Sequence, residues 1–354
     1  MFEKVKVAIL GAGNVAKHYR NILKKVPNTS YEIVGICDID ENAASLLASD
    51  FGCRYFNEIN LLIHSVNPDL MIILTPSGLH FEHAKTALEN GCHVIVEKPI
   101  SNLPFEASTL KKIAEKNKKM IVVAFQNRLN PAIQCLKNAI DNERFGKIIT
   151  STIRLRWCRY QDYYNDGWHG TWALDGGVIN QQAIHHVDVM NWLMGPVTEL
   201  CSSAGNRLNK LEAEDTLVSI LKFNNGAFGT IEATTAARPI DYEASLSVVG
   251  EKGYAVIGGV ALNNIEKWNF VEPISEDENA PLRYSVDVPS GYGLSHETLI
   301  NRTLETIQKK EFCSPIEIDS CISTCELIHA LYSSNENRQW VKLIDKPISK
   351  FLGR

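Results

Sequence analysis

Apolar residues fall into two rhythms along this chain. From residue 5 to about 125 they form short unbroken runs, each followed by a stretch with helical spacing: VKVAIL before GAGNVA, YEIVGICD before ENAASLLASDFG, DLMIILTP before FEHAKTALENG, CHVIVEKP before PFEASTLKKIAEKNKK, and lastly MIVVAFQN. Between them, LLIHSVNPD reads as a short helix or turn, and Pro27–Ser30 as a turn. Runs that are apolar throughout belong to strands buried on both faces, so the alternation predicts a parallel sheet flanked by helices on both sides. Gly52 and Gly91 fall where two of the helices should stop. Beyond about 125 the rhythm changes. A helix near 131–141 leads to IITSTIRLRW, which alternates with period two; DTLVSILKF, AFGTIEATT, EASLSVVGEKGYAVIGG and NIEKW follow, joined by Asn-Gly and Lys-Gly turns. This predicts a largely antiparallel sheet, with helices at about 176–194, 296–309 and 320–333 on one face. The chain thus divides into domains 1–125 and 126–354, as a length of 354 residues, too great for one ordinary core, leads one to expect.

Composition narrows the class. With 45% hydrophobic and 22% charged residues the chain reads as a soluble globular protein, and a net charge of −5 gives no reason to expect nucleic acid or an anionic membrane as partner. No apolar run approaches the roughly 20 residues that span a bilayer, and the opening MFEKVKVAIL lacks a signal-peptide cleavage pattern. The nine cysteines are scattered without a CxxC, Cys321 and Cys325 being the nearest pair. That favours reduced thiols in the cytoplasm over a disulfide framework or a metal site.

Between the first strand and the first helix stands Gly11-Ala12-Gly13-Asn14-Val15-Ala16. In that context Gly11 permits a tight turn, Gly13 lets the backbone approach a pyrophosphate, and Ala16 takes the small position where helix and strand pack closely; Asn14 and Val15 open the helix whose N–H groups face the phosphates. Asp38, at the end of the second strand, is placed to accept hydrogen bonds from a ribose and to repel a 2′-phosphate, which favours NAD over NADP. The expected first domain therefore binds a dinucleotide at a parallel sheet. The alternative is a glycine turn and a capping Asp in a sheet that binds nothing. Strand C-termini line the ligand crevice of such a sheet, which brings Thr75, Pro76, Glu97, Lys98 and Gln126 to one rim. His80, near the next helix start, fits either a cofactor contact or a helix cap.

Glu97 and Lys98 end a core strand without a turn residue. Adjacent strand positions face opposite sides, so a mutual ion pair is the less natural reading. A lysine at that rim can donate to a substrate hydroxyl and stabilise charge as an alcohol becomes a carbonyl. In Asp175-Gly-Gly-Val-Ile-Asn-Gln-Gln-Ala-Ile-His-His-Val-Asp, Gln181, His185, Asp188 and Trp192 share one helical face if the segment is a helix. Polar groups on such a stripe are costly in a core unless they serve a site. His185 suits proton removal near neutral pH, with a satisfied core histidine as the alternative. His186 faces elsewhere, and a metal site of His185, His186 and Asp188 is disfavoured because adjacent helical residues diverge. The expected chemistry has the amine of Lys98 and the ring of His185 converge on an alcohol carbon facing the nicotinamide.

GAGNVA, TPSGLHFEHAKTALENGCHVIVEKP and the GG…H..D helix followed by Trp together resemble the Gfo/Idh/MocA oxidoreductase family over essentially the whole chain. The resemblance implies an N-terminal Rossmann parallel sheet and a C-terminal α+β domain with a mostly antiparallel open sheet. It implies catalytic roles for Lys98 and His185, and an open sheet that serves as an oligomer interface in a dimer or tetramer. Many members carry Asp four residues before the histidine; here the position is Gln181, whose neutral amide does not raise imidazole basicity as a carboxylate does. WHGTWALDGGVINQQAIHHVDVMNWLMGPV, NRLNKLEAEDT and GTIEATTAARPIDYEASLSVVGEKG resemble the WlbA-type branch. These segments imply NAD-dependent oxidation of the C3 hydroxyl of UDP-N-acetylglucosaminuronic acid, a step toward bacterial surface polysaccharide (O-antigen), with 2-oxoglutarate as a cofactor-recycling oxidant in related enzymes. An anionic sugar nucleotide needs cations and donors; Arg156, Tyr164, Trp168, Asn180, Gln181, Arg238 and His296 are the candidates beside Lys98 and His185, with ordinary packing or capping as their alternative. Dehydrogenation of a free polyol or sugar, and a non-catalytic NAD-binding regulator, are the competing readings.

Overall fold

The structure, a computed structural model, describes residues 3–27 and 29–354. Asn28, in the expected turn at Pro27–Ser30, lies outside the described residues. Backbone contacts divide the chain into two compact units, one running to Phe125 and including His296–Ile322, the other Gln126–Ser295 with Ser323–Arg354. The sequence division at 126 had put His296–Ile322 with the second domain; the chain returns to the first unit for that segment.

The first unit is built from β1 (Val5–Leu10), α1 (Asn14–Leu23), β2 (Tyr31–Cys37), α2 (Glu41–Ser49), β3 (Arg54–Phe56), α3 (Ile59–Val66), β4 (Leu70–Ile73), α4 (His80–Glu89), β5 (His93–Val96), α5 (Pro104–Lys116) and β6 (Ile121–Val123). All six strands are parallel, in the order β3-β2-β1-β4-β5-β6. The runs read as apolar on both faces are buried as expected: Leu70–Ile73 and His93–Val96 contain no exposed residue. Chain order reverses between β1 and β4, the position where open α/β sheets leave a ligand crevice. Register fixes what stands at its rim. Leu10 pairs with Cys37 and with Ile73, Ile73 with Val96, and Val96 with Val123. One row of strand ends therefore presents Gly11, Asp38, Leu74 and Glu97 at the same edge.

The second unit contains α6 (Pro131–Asp141), β7 (Ile148–Arg156), α7 (Ile184–Met194), β8 (Val197–Gly205), β9 (Thr216–Phe223), β10 (Phe228–Thr234), β11 (Glu243–Gly250), β12 (Gly253–Gly258), β13 (Asn264–Phe270) and α8 (Ala280–Tyr284). The later elements are α9 (Ser295–Gln308), which from His296 on belongs to the first unit, α10 (Ile318–Asn337), which belongs to the second unit from Ser323 on, and β14 (Val341–Lys342). Eight strands run in the order β13-β12-β11-β7-β10-β9-β8-β14; β10 and β7 are parallel and every other pair is antiparallel. Period-two burial is clear in β9, where Leu217, Ser219, Leu221 and Phe223 are buried and Val218 and Ile220 are exposed. The helix expected over 176–194 begins only at Ile184. The reason is local: Gly176 has φ +81°, and the Asn180 amide donates to the Asp175 carbonyl at 2.7 Å, folding 175–183 into turns. Gln181 thus precedes the helix and does not share its face with Asp188 and Trp192.

Candidate functional site

Gly11 is required where it stands. Its φ is +100°, and a Cβ there would lie 2.8 Å from the carbonyl carbon and oxygen of Leu74. Gly13 is different: nothing lies within 4 Å of where its Cβ would be, so the backbone is open to a bulky neighbour. No side chain caps α1, so its first-turn N–H groups are left for an anion. Asn14 and Val15 form that first turn, the Asn14 amide oxygen accepting from Lys17 at 3.1 Å. Asp38 is held by two backbone N–H groups, from Ala12 at 2.6 Å and Asp40 at 2.9 Å. It stays half-exposed at the rim, with lone pairs left for hydroxyl groups. This glycine cradle, uncapped helix and anchored carboxylate fit a dinucleotide.

The next rim loops are tied together by His80, which is buried. Its Nδ1 lies 2.6 Å from the Pro99 carbonyl and its Nε2 2.8 Å from the Thr75 carbonyl. It links the loop after β4 to the loop after β5, a brace and not a helix cap. Burial lowers its pKa against those two hydrogen bonds. The Thr75 hydroxyl is 3.0 Å from His83, and Pro76 is half-buried beside it. Gln126, which opens the second unit, is buried, with its amide oxygen lacking a hydrogen-bond partner among the described residues.

Glu97 is buried at the end of β5. Its Oε1 accepts from the Tyr19 hydroxyl at 2.8 Å and lies 3.5 Å from His296 Nε2; its Oε2 accepts from the Lys98 N–H at 3.3 Å. Burial alone would push this carboxyl up, but the His296 hydrogen bond and charge, Lys98 and Tyr19 hold it down to about 2. Lys98 is half-buried, and its bond to Pro99 is cis.

In the second unit His185 lies on the first turn of α7, half-buried. Asp188, one turn on, is fully buried and spent on structure: Arg128 meets it with two nitrogens at 2.5 and 2.7 Å, and Thr324 donates at 2.9 Å. The Arg128 guanidinium also lies 5.4 Å from the Trp192 ring. His186 is buried edge-on to Trp157, and burial holds it down to about 4. Gln181 Nε2 donates to Asp175 Oδ1, while Asp175 Oδ2 accepts from the Gly170 N–H at 2.8 Å. The amide at 181 therefore answers a buried carboxylate six residues upstream.

Other candidates have protein partners. Arg156 makes ion pairs with Glu232 at 2.7 Å and Glu243 at 2.9 Å across neighbouring strands. Arg238 donates to the carbonyls of Ala237 and Thr235 and to Asn209, 4.4 Å from the Tyr160 ring. Tyr164 is buried and its hydroxyl is 2.7 Å from that of Thr235. Trp168 lies over the His169 ring, centroids 3.6 Å apart. Sequence reasoning missed Tyr19, Arg128 and Glu214. Glu214 is buried, accepts from the Ile179 N–H at 3.0 Å and from the Tyr332 hydroxyl at 3.1 Å, and burial pushes it up to about 8. A buried Asp188 demanded a cation, which was a signal for Arg128; nothing local announced the other two.

Residues 5–125 match the NAD-binding Rossmann domain of the GFO_IDH_MocA oxidoreductase family, and residues 133–256 the GFO/IDH/MocA C-terminal domain. With the cradle and carboxylate described above, the chain belongs to the Gfo/Idh/MocA family and is an NAD-dependent oxidoreductase. Within it, the chain is similar to the WlbA dehydrogenase of Bordetella pertussis, solved with NADH and UDP-GlcNAcA: 30% identity, TM-score 0.90, covering 96% of this chain and 98% of that one. The WlbA dehydrogenase of C. violaceum, solved with the same two ligands, gives 32% identity and a TM-score of 0.89, covering 96% of each chain. Among sequence relatives, the D-glucoside 3-dehydrogenase of Escherichia coli K12 is 26% identical over 305 residues, which cover 79% of this chain and 85% of that enzyme. Among the described residues no helix is long and apolar enough to cross a membrane, and no group of side chains is disposed to hold a metal ion.

Proposed function

We propose that this enzyme oxidises the C3 hydroxyl of UDP-N-acetylglucosaminuronic acid to the 3-keto sugar nucleotide, in the cytoplasm, on a route to surface polysaccharide. The observation that carries the reading is the near full-length similarity to two dehydrogenases solved with NADH and UDP-GlcNAcA. The presence of Lys98 and His185 supports it. NAD, held by the Gly11–Gly13 cradle and Asp38, would supply the hydride acceptor for the alcohol carbon. His185 accepts the hydroxyl proton as the carbonyl forms, and Lys98 donates a hydrogen bond that steadies the developing charge on oxygen. Gln181, through Asp175, orders the turn ahead of the His185 helix. Exposed Val218, Ile220, Phe228 and Tyr254 on the open sheet support self-association into a dimer or tetramer. Sedimentation of Ile220→Lys should show a smaller species than the parent.

The decisive experiment incubates the protein with NAD and UDP-N-acetylglucosaminuronic acid and follows the absorbance of reduced nicotinamide, with and without 2-oxoglutarate. Formation of reduced cofactor and a 3-keto product supports the reading. A free sugar or polyol as substrate is the second reading, favoured by the D-glucoside 3-dehydrogenase relative; turnover of methyl glucoside or inositol with none of the sugar nucleotide selects it.

A further inference from the structure

Three consecutive backbone N–H groups ahead of α7 converge on one acid and its partner. Gly177 N–H donates to the Tyr332 hydroxyl at 3.0 Å, Val178 N–H to the Glu214 carbonyl at 2.9 Å, and Ile179 N–H to Glu214 Oε1 at 3.0 Å. The Tyr332 hydroxyl in turn donates to that same Oε1 at 3.1 Å. Glu214 and Tyr332 are both buried. Their close approach depends on Gly177: a Cβ there would lie 2.1 Å from Glu214 Oε2 and 2.4 Å from the Glu214 carbonyl oxygen. At Gly176 a Cβ would lie 3.0 Å from the Leu352 side chain. The glycine pair thus admits Glu214 at one position and Leu352 at the other. The acid comes from NRLNKLEAEDT, the stretch that runs into β9.

From this anchor a run of backbone hydrogen bonds leads to His185. The Gly177 carbonyl accepts from Gln181 N–H at 3.0 Å, and the Val178 carbonyl from Gln182 and Ala183 at 3.1 and 2.8 Å. The Ala183 carbonyl then accepts from His186 and Val187 at 2.9 and 3.0 Å, which opens α7, and His185 lies on that first turn. Removing the Glu214 carboxyl strips two buried donors, Ile179 N–H and the Tyr332 hydroxyl, of their acceptor, and the turn must shift to satisfy them. We propose that Glu214 is a positioning residue: with Tyr332 it fixes the turn over 177–183, and through it the place of the His185 ring. The inference rests on the proton-accepting role given to His185 above. It does not depend on which alcohol is oxidised.

A double-mutant cycle on turnover separates positioning from general support of the fold, using the full chain and whichever alcohol of the two readings the parent oxidises. A misplacement of about 1 Å costs about 10²-fold in rate, so Glu214→Ala should lower kcat by about 10–100-fold, while NADH fluorescence titration gives an unchanged Kd. Glu214→Gln, which keeps an acceptor oxygen for Ile179 and Tyr332, should restore most of that turnover. Because the loss acts through His185, Glu214→Ala should cost little further in a His185→Ala background. Tyr332→Phe removes one hydroxyl and keeps the ring. It should lose several-fold in kcat with the same dependence on His185, and it is the readable variant where Glu214→Ala does not fold. Parent-like kcat in the folded variants overturns the proposal, as does a loss that is equal with and without His185. Undiminished turnover in His185→Ala rejects the role of His185 itself, and the proposal falls with it.

Discussion

Gln181→Asp is the sharpest test of how the turn ahead of α7 is held. In the parent, the Gln181 amide donates to Asp175, a carboxylate 1% exposed whose other oxygen takes the Gly170 N–H. Aspartate at 181 replaces the donor with a second acid in the same buried place. Two carboxylates about 4 Å apart repel by about 4 kcal/mol at an effective dielectric near 20, equivalent to roughly 3 pH units. One acid of the pair should therefore titrate near pH 7 in the folded state, against about 3.9 unfolded. A folded pKa above the unfolded value means stability that is whole below about pH 4 and lost as pH rises through the folded pKa. The variant should trail the parent by about 1–2 kcal/mol at pH 5 and by about 4 at pH 8, beyond a pH-independent loss of about 1 kcal/mol for the missing hydrogen bond. For a unit of about 200 residues the pH-dependent part alone corresponds to about 8–16 °C in melting temperature at pH 8. Denaturant unfolding followed by tryptophan fluorescence at the two pH values measures it, with Gln181→Asn as the control that keeps the amide but shortens its reach. A penalty equal at pH 5 and pH 8 refutes the buried clasp.

Lys98→Ala should cut turnover by about 10²–10⁴-fold, the usual span for a positioned proton-handling group, while NADH fluorescence titration gives an unchanged Kd. Asp38→Ala should weaken NADH by about 10–100-fold through loss of charged hydrogen bonds, and weaken NADPH less, so the ratio of the two affinities falls; an unchanged ratio removes Asp38 from ribose recognition. Glu214, pushed up to about 8 by burial, sits above its unfolded value near 4.3, so its contribution to stability is present at low pH and is lost as pH rises through 8. Glu214→Gln should flatten the stability–pH curve between pH 5 and 8, read as unfolding midpoints in buffered denaturant, and a curve parallel to the parent's contradicts this.

What the sequence conveyed and what it withheld follow from the range of the interactions. Burial on both faces makes a parallel strand apolar throughout, so β1, β2, β4, β5 and β6 were legible as runs. Edge strand β3 was not, because two of its three residues face solvent. β8, Val-Thr-Glu-Leu-Cys-Ser-Ser-Ala-Gly, has too few branched or aromatic residues to announce itself, and it is a strand because β9 pairs with it along its length. The glycine cradle and Asp38 were legible because a strand–turn–helix fixes them within one local unit.

The same logic explains the polar residues. The register that levels Leu10, Cys37, Ile73 and Val96 is readable once the sheet is, so Glu97 and Lys98 fall at the rim by counting. What Glu97 meets there is not countable: Tyr19 stands 78 positions away, and His296 arrives on a helix that leaves the second unit at Ser295 and rejoins the first. His296, at a helix start, read equally as a substrate contact or a cap; its burial against a carboxylate is a tertiary fact. Asp188 is the converse. Its helical spacing from His185 suggested a shared site, yet Arg128 and Thr324 account for its charge. Burial raises the pKa of this carboxyl against the opposing pull of Arg128 and Thr324, but those two groups already engage both of its oxygens. Any tuning of a proton acceptor on α7 must therefore come from groups other than Asp188, so Asp188→Asn should lower stability and leave the pH dependence of turnover where it was.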